Sequence, residues 1–140
     1  MKCLRLSPSL REQIHNEARA ALPRECCGLV EGVRSGENVL TTKLHPTRNI
    51  AAETDRFEID PEAHFSILRS ARARGAEIVG CYHSHPSGRA VPSAWDLANV
   101  GEEGFVWLIH ATEEPREGEF AAFVVSAGKL VPITCENETS

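Results

Sequence analysis

The sequence predicts an α/β fold, a single-domain mixed β-sheet flanked by helices, on three observations. Two segments, Leu10 to Leu22 and Pro61 to Gly75, combine helical apolar spacing with a start signal. Short β-branched and apolar runs separate and follow them, ending in closely spaced segments that read as antiparallel hairpins. The chain has 140 residues, which suits one domain able to bury roughly two thirds of its unfolded surface.

The elements follow in order. Ser9 stands three residues before Glu12 in capping-box spacing, and Leu10, Ile14, Ala18 and Leu22 repeat on one face until Pro23 forbids continuation. CCGLVEGV and NVLTTKLH flank the turn-rich RSGE and read as an antiparallel pair, with Gly28 admitting a close neighbour to the backbone. HPTRNIAAETD is a long surface connection, and RFEI a short strand. The second helix opens with Asp60 as N-cap and Pro61 at its first position, and closes at Gly75. Phe65, Leu68 and Arg72 share related positions, so only part of this helix faces the core. AEIVGCYH is apolar enough to be a central strand buried on both faces. A short helix begins at Ser93, followed by the strands FVWLIHA, FAAFVVS and LVPIT, with turns at EEPREGE and AGK. We expect the domain to span residues 1–135, with 136–140 a polar tail.

Composition narrows the class of partner. A formal charge of −5 with no Lys/Arg cluster argues against a nucleic-acid partner held by phosphate contacts. The opening MKCLRLSPSLREQ lacks the apolar stretch of a secretory signal, and no run approaches the ~20 apolar residues that span a bilayer, so a cytoplasmic protein without membrane contact is expected. The five cysteines match neither a zinc-knuckle spacing nor a disulfide framework, and read as reduced thiols packed as small hydrophobes.

The chemistry lies in HSHPSGRAVPSAWD. In a strand, residues i and i+2 point the same way, so His83 and His85 present two imidazoles to one point while Ser84 faces the other side. Pro86 ends the strand and turns the chain, which lets Asp96 return over that point. Two nitrogens and one carboxylate suit a catalytic zinc with a fourth position left for water. Glu25, just before CCGLV, is placed to move protons beside the histidine strand, whereas Glu31 further along reads as solvated. Ser93 admits two readings, a donor to the oxygen of a tetrahedral intermediate or a capping box with Asp96. His15, His45, His64 and His110 read as surface or satisfied core histidines. The cupin, metallo-β-lactamase and zinc-deaminase patterns fail at the positions after His85, and no H-E-x-x-H is present.

Glu25 with ECCGLV, followed by His83, His85, Pro86, Ser93 and Asp96 in HSHPSGRAVPSAWD, resembles the JAMM family, also called MPN+ or Mov34/PAD-1. The likeness extends to RNIAAETDRFEIDP and EIVGCYHSHP, which are similar to the compact bacterial branch. The resemblance implies a cytidine deaminase-like mixed sheet between helices, zinc held by His83, His85 and Asp96, Glu25 as general base and acid, and Ser93 as oxyanion stabiliser. It further implies hydrolysis of a peptide or isopeptide bond after the C-terminal Gly-Gly of a ubiquitin-like protein, in this branch a sulfur carrier. Such a tail, free of side chains at its end, would enter a narrow groove and pair with an exposed strand edge. A homodimer is compatible with the sequence. Two alternatives are a non-catalytic MPN interaction module, which typically lacks ligands this chain keeps, and a RadC-like protein, which typically carries an extra N-terminal region and lacks ECCGL.

Overall fold

The computed structural model describes residues 3–112 and 118–137. They form β1 (Cys3–Leu6), α1 (Pro8–Ala21), β2 (Cys27–Ser35), β3 (Asn38–Thr47), α2 (Pro61–Ala73), β4 (Glu77–His85), α3 (Ala94–Ala98), β5 (Val106–Ala111), β6 (Glu119–Ser126) and β7 (Lys129–Asn137). The sheet is mixed, as expected, and it closes on itself in the order β1-β3-β2-β4-β5-β6-β7. The expected helices lie over it on both sides.

Closure depends on β1, which the apolar pattern of so short a stretch did not reveal. It pairs in parallel with β3 through Cys3, Leu4 and Arg5, and in parallel with β7 from Cys3 opposite Thr134 to Leu6 opposite Asn137. Glu136 and Asn137, expected in the tail, therefore belong to a strand, and residues 138–140 lie outside those described. The turn expected at EEPREGE falls mostly on residues 113–117, which also lie outside.

α1 starts two residues earlier than the capping box suggested. Ser7 is the N-cap, accepting from the Leu10 amide at 3.2 Å, and Pro8 takes the first helical turn, where a missing N–H costs nothing. Its Ile14 and Ala18 are fully buried against Leu4, Leu6, Val30, Val39, Tyr82 and Leu108. Burying one such aliphatic side chain is worth about 1.5–3 kcal/mol, which fixes this helix on one face of the sheet. The other face carries Leu29, Cys81, Trp107, Ile109 and Phe123, covered by Phe57, Ala71 and α3's Trp95.

β2 and β3 form the expected antiparallel hairpin, and β4 is the expected central strand, antiparallel to β2 and parallel to β5. A Cβ added to Gly28 would lie 2.5 Å from the His45 carbonyl and the Tyr82 hydroxyl, which is the close approach its sequence context predicted. RFEI is not a strand; it contributes one isolated bridge, Asn49 to Ile59, because no neighbouring strand offers it a partner. α2 is capped as expected by Asp60, with Arg74 at its end and Gly75 at φ 73° beyond, but Phe65 and Leu68 are exposed and Ala71 is its buried residue. Glu31 is buried, correcting the solvated reading: Arg74 donates to it at 2.9 and 3.3 Å and the His45 ring meets it at 2.9 Å. All five cysteines are free thiols, four of them buried. No helix among the described residues is long and apolar enough to cross a membrane.

Candidate metal centre

β4 delivers His83 and His85 to the face covered by α2 and α3, while Ser84 points to the α1 face, as period two requires. The strand ends at His85, the loop through Pro92 reverses the chain, and α3 begins at Ser93. The loop and cap bring Asp96 back over the histidines. His83 Nε2 lies 3.1 Å from His85 Nε2 and 3.1 Å from Asp96 Oδ2, and His85 Nε2 lies 3.2 Å from the same oxygen. Ligands bonded at ~2.0–2.1 Å in a tetrahedron stand roughly 3.3 Å apart, so this triangle has nearly the edge length of three corners of a zinc site.

His85 Nδ1 lies 2.9 Å from the Arg89 carbonyl oxygen, which only accepts, so Nδ1 carries a proton and the neutral form of His85 directs a lone pair from Nε2 at the centre. His83 Nδ1, Asp96 Oδ1 and Glu25 Oε1 are buried with no hydrogen-bond partner among the described residues. Unpaired buried polar atoms are costly, and the atoms that converge beside them, His83 Nε2, His85 Nε2 and Asp96 Oδ2, are those a metal ion would bind. The donor set of two imidazoles and carboxylate oxygen fits zinc.

Burial lowers the pKa of His83 despite the nearby Asp96, which favours the neutral imidazole that a metal requires. Burial also pulls His85 down, but the hydrogen bonds to Asp96 and Arg89 outweigh it and leave it raised. Asp96 is pushed up by burial, yet its bonds from both histidines hold it below the usual carboxylate range. His83 is wedged between aromatic rings: Phe57 stacks on it at 4.3 Å between centroids and 22° between planes, and Trp107 meets it edge-on at 5.6 Å. Phe57 and the Arg89 carbonyl escaped the sequence reading. A backbone oxygen has no residue signature, and Phe57 read only as a strand residue.

Glu25 lies two residues before the start of β2, whose Cys27 pairs with His83. An oxygen of Glu25 falls within 4.8 Å of the imidazole nitrogens of His83 and His85. Asp96 Oδ2 abuts both nitrogens at 3.1 and 3.2 Å, so two carboxylates share this pair of imidazoles. Glu25 is 4% exposed, and burial raises its pKa to about 8, with His85 opposing and Asp96 adding to the rise. Its buried position excludes the alternative of a solvated charge at a strand start.

Ser93 caps α3 in a complete capping box: its Oγ accepts from the Asp96 amide at 3.1 Å, and its own amide donates to Asp96 Oδ2 at 2.9 Å. The cap uses Oγ as an acceptor, so the hydroxyl proton remains to be donated elsewhere. The two readings of Ser93 are therefore compatible, and the capping box also orients the oxygen that faces both histidines. Glu25, His85 and Ser93 line one groove of about 250 Å³ with Pro23, Thr54, Asp55, Pro86 and Ser87. A more apolar hollow of about 310 Å³, between Phe57, Trp95 and Trp107, contains none of the five candidate residues, so the chemistry belongs to the smaller groove.

The expected residues Glu25, His83, His85, Ser93 and Asp96 thus meet in one place. The four other histidines do not: His45 pairs with Glu31, and His15 Nδ1 lies 2.8 Å from His110 Nε2 on the α1 side of the sheet.

Comparison with known proteins agrees with this architecture. The chain is 39% identical over 111 residues to a desampylase of Haloferax volcanii, covering 76% of this chain and 78% of that protein. It is 35% identical over 119 residues to a probable TtuB-protein conjugate cleaving protease of Thermus thermophilus, covering 78% and 76%. Among solved structures, a protein of Desulfitobacterium hafniense superposes with a TM-score of 0.86 at 26% identity, covering 100% of this chain and 94% of that one. The profile of prokaryotic homologs of the JAB domain matches residues 7–125, a span holding α1, the histidine strand, α3 and every candidate residue, and the chain belongs to that family.

Proposed function

We propose that the protein is a zinc-dependent peptidase and isopeptidase that hydrolyses the bond after the C-terminal Gly-Gly of a ubiquitin-like protein of the sulfur-carrier type. The observation that carries this reading is the convergence of His83 Nε2, His85 Nε2 and Asp96 Oδ2 within 3.2 Å of one another, with an oxygen of buried Glu25 within 4.8 Å of both imidazoles. Relatives named a desampylase and a probable protease cleaving TtuB-protein conjugates support action on ubiquitin-like conjugates.

His83, His85 and Asp96 would hold the ion. Bound there, zinc supplies a Lewis acid for the scissile carbonyl and lowers the pKa of water toward ~7. Glu25 takes a proton from the attacking water and returns it to the leaving amine; a carboxyl raised by burial into the neutral range exchanges protons in both directions efficiently. Ser93, whose hydroxyl proton the cap leaves unused, donates to the oxygen that gains charge as the carbonyl is attacked. A glycine tail suits the narrow groove at Glu25, His85 and Ser93. The exposed strand edge expected for such a tail is not that of β4, because β2 and β5 occupy both of its edges.

The test is direct. The zinc-loaded protein is incubated with a β-grasp carrier bearing a C-terminal extension and with a Gly-Gly isopeptide conjugate, and the products are weighed by mass spectrometry. Cleavage after Gly-Gly that chelation stops and zinc restores is expected. Absence of cleavage on both substrates by zinc-saturated protein would sink the reading.

A further inference from the structure

The peptide unit joining Glu25 to Cys26 is gripped at both polar ends by side chains. Its carbonyl oxygen accepts from Asn49 Nδ2 at 3.0 Å, and its amide donates to Ser84 Oγ at 2.8 Å. Neither bond belongs to the regular ladder, since β2 begins only at Cys27. The unit is sealed from solvent on the strand side: Ser84 is fully buried and Glu25 nearly so.

Both grips tie Glu25 to the parts it works with. Ser84 stands between His83 and His85, and its own amide donates back to the Cys26 carbonyl at 3.1 Å, so the strand holding the histidines also holds the residue after Glu25. Asn49 makes four hydrogen bonds, which is the whole capacity of a side-chain amide. Besides Glu25 it donates to the Arg56 carbonyl at 3.1 Å, and its Oδ1 accepts from the Ala51 amide at 2.9 Å and the Glu58 amide at 3.0 Å. Two carbonyls on one side and two amides on the other fix which way the amide points. The loop closed in this way carries Phe57, which stacks on His83, and Thr54 and Asp55, which wall the groove.

We propose that Asn49 and Ser84 are positioning residues that clamp this peptide unit and so set the Glu25 carboxylate over the histidine pair. The proposal rests on the hydrolytic reading for its kinetic consequence, while the clamp itself is independent of it. A general base works only within hydrogen-bond reach of its proton, and a displacement of about 1 Å costs on the order of 10²-fold in rate. Neither Asn49 nor Ser84 need touch substrate or metal to have that effect. Because both act through one peptide unit, removing the second grip after the first should cost less than removing it alone.

The experiment compares wild type, Asn49→Asp, Ser84→Ala and the double variant. Asn49→Asp keeps the shape but replaces two donors by acceptors facing two carbonyls; Ser84→Ala is the milder change if the first folds poorly. In the metal-free protein, Ser84→Ala should speed exchange of the Cys26 amide at least tenfold, and Asn49→Asp should shift the carbonyl carbon resonances of Glu25 and Arg56. In the zinc-loaded protein, each single variant should lower kcat at least tenfold with KM within threefold and zinc still stoichiometric, and the double variant should lose less than the product of the two. Unchanged exchange and carbonyl shift in both variants overturn the clamp. Altered exchange with wild-type kcat, or losses that multiply and follow Tm, overturn its positioning role. A wild type that shows these amide bonds but cleaves no conjugate overturns the hydrolytic reading instead, and with it the kinetic consequence.

Discussion

His85 Nδ1 donates to the carbonyl oxygen of Arg89 at 2.9 Å, so a backbone atom in the loop before α3 selects which nitrogen of His85 faces His83 and Asp96. Outer partners of this kind commonly change metal affinity by about 10–100-fold when lost. The loop depends on Gly88, whose φ of 95° is a conformation that L side chains rarely adopt. Gly88→Ala should therefore move the Arg89 carbonyl and weaken zinc binding about tenfold. Arg89→Ala, which keeps the carbonyl, should leave it unchanged. Competition with a chromophoric chelator measures both.

Removing the Glu25 carboxylate separates chemistry from metal binding. Glu25→Gln should retain one zinc per chain while turnover falls about 10²–10⁴-fold, the usual contribution of a positioned acid and base. Metal analysis and steady-state rates on the same preparation check this, and near-native hydrolysis would show that another group moves the proton.

Ser93 can be divided into its two roles. Glycine is a tolerable N-cap, costing only a few tenths of a kcal/mol relative to serine, but it has no hydroxyl. Ser93→Gly should thus keep nearly the native Tm and lose about 10²–10³-fold in kcat. A Tm loss with unaltered kcat would leave the cap as its only role.

Zinc held where His83 Nε2, His85 Nε2 and Asp96 Oδ2 converge should stabilise the fold. At a free concentration 100 times Kd, binding to the native state alone adds about 2.7 kcal/mol. Thermal unfolding of the chelated chain should shift upward with added zinc, and in Asp96→Asn that shift should largely disappear.

Acid stability should be governed in part by Glu31. Hydrogen bonds from Arg74 and His45 outweigh its burial and hold it down to about 2, from an ordinary 4.5. A carboxylate depressed in the folded state contributes its full stabilisation above the unfolded pKa, and loses it as pH falls through the folded one. Wild type should therefore lose Tm progressively between pH 5 and 2, and Glu31→Gln, less stable at pH 7, should lose less over the same interval.

What the sequence made legible, and what it hid, divides along physical lines. His83, His85 and Asp96 were readable because strand period and a proline-ended turn are local rules, and Glu25 because ECCGL precedes an apolar strand. β1 was not, since CLRL is too short to show a period and is held by partners far along the chain. RFEI had strand propensity without a neighbour to pair with, and Glu31 looked solvated because Arg74, whose guanidinium pairs with it, lies far along the chain at the end of α2. Asn49 carried no sign of its four bonds, all of them from its side-chain amide to backbone atoms.

The seam between β1 and β7 joins the first described residues to the last. During synthesis, β1 must wait with one side open until β7 has emerged, because no other element among the described residues pairs with that side. Contacts spanning nearly the whole chain form slowly. Closure of the barrel is thus a late, whole-chain event, and a nascent protein truncated before β7 exposes two raw sheet edges of the kind that recruit other chains.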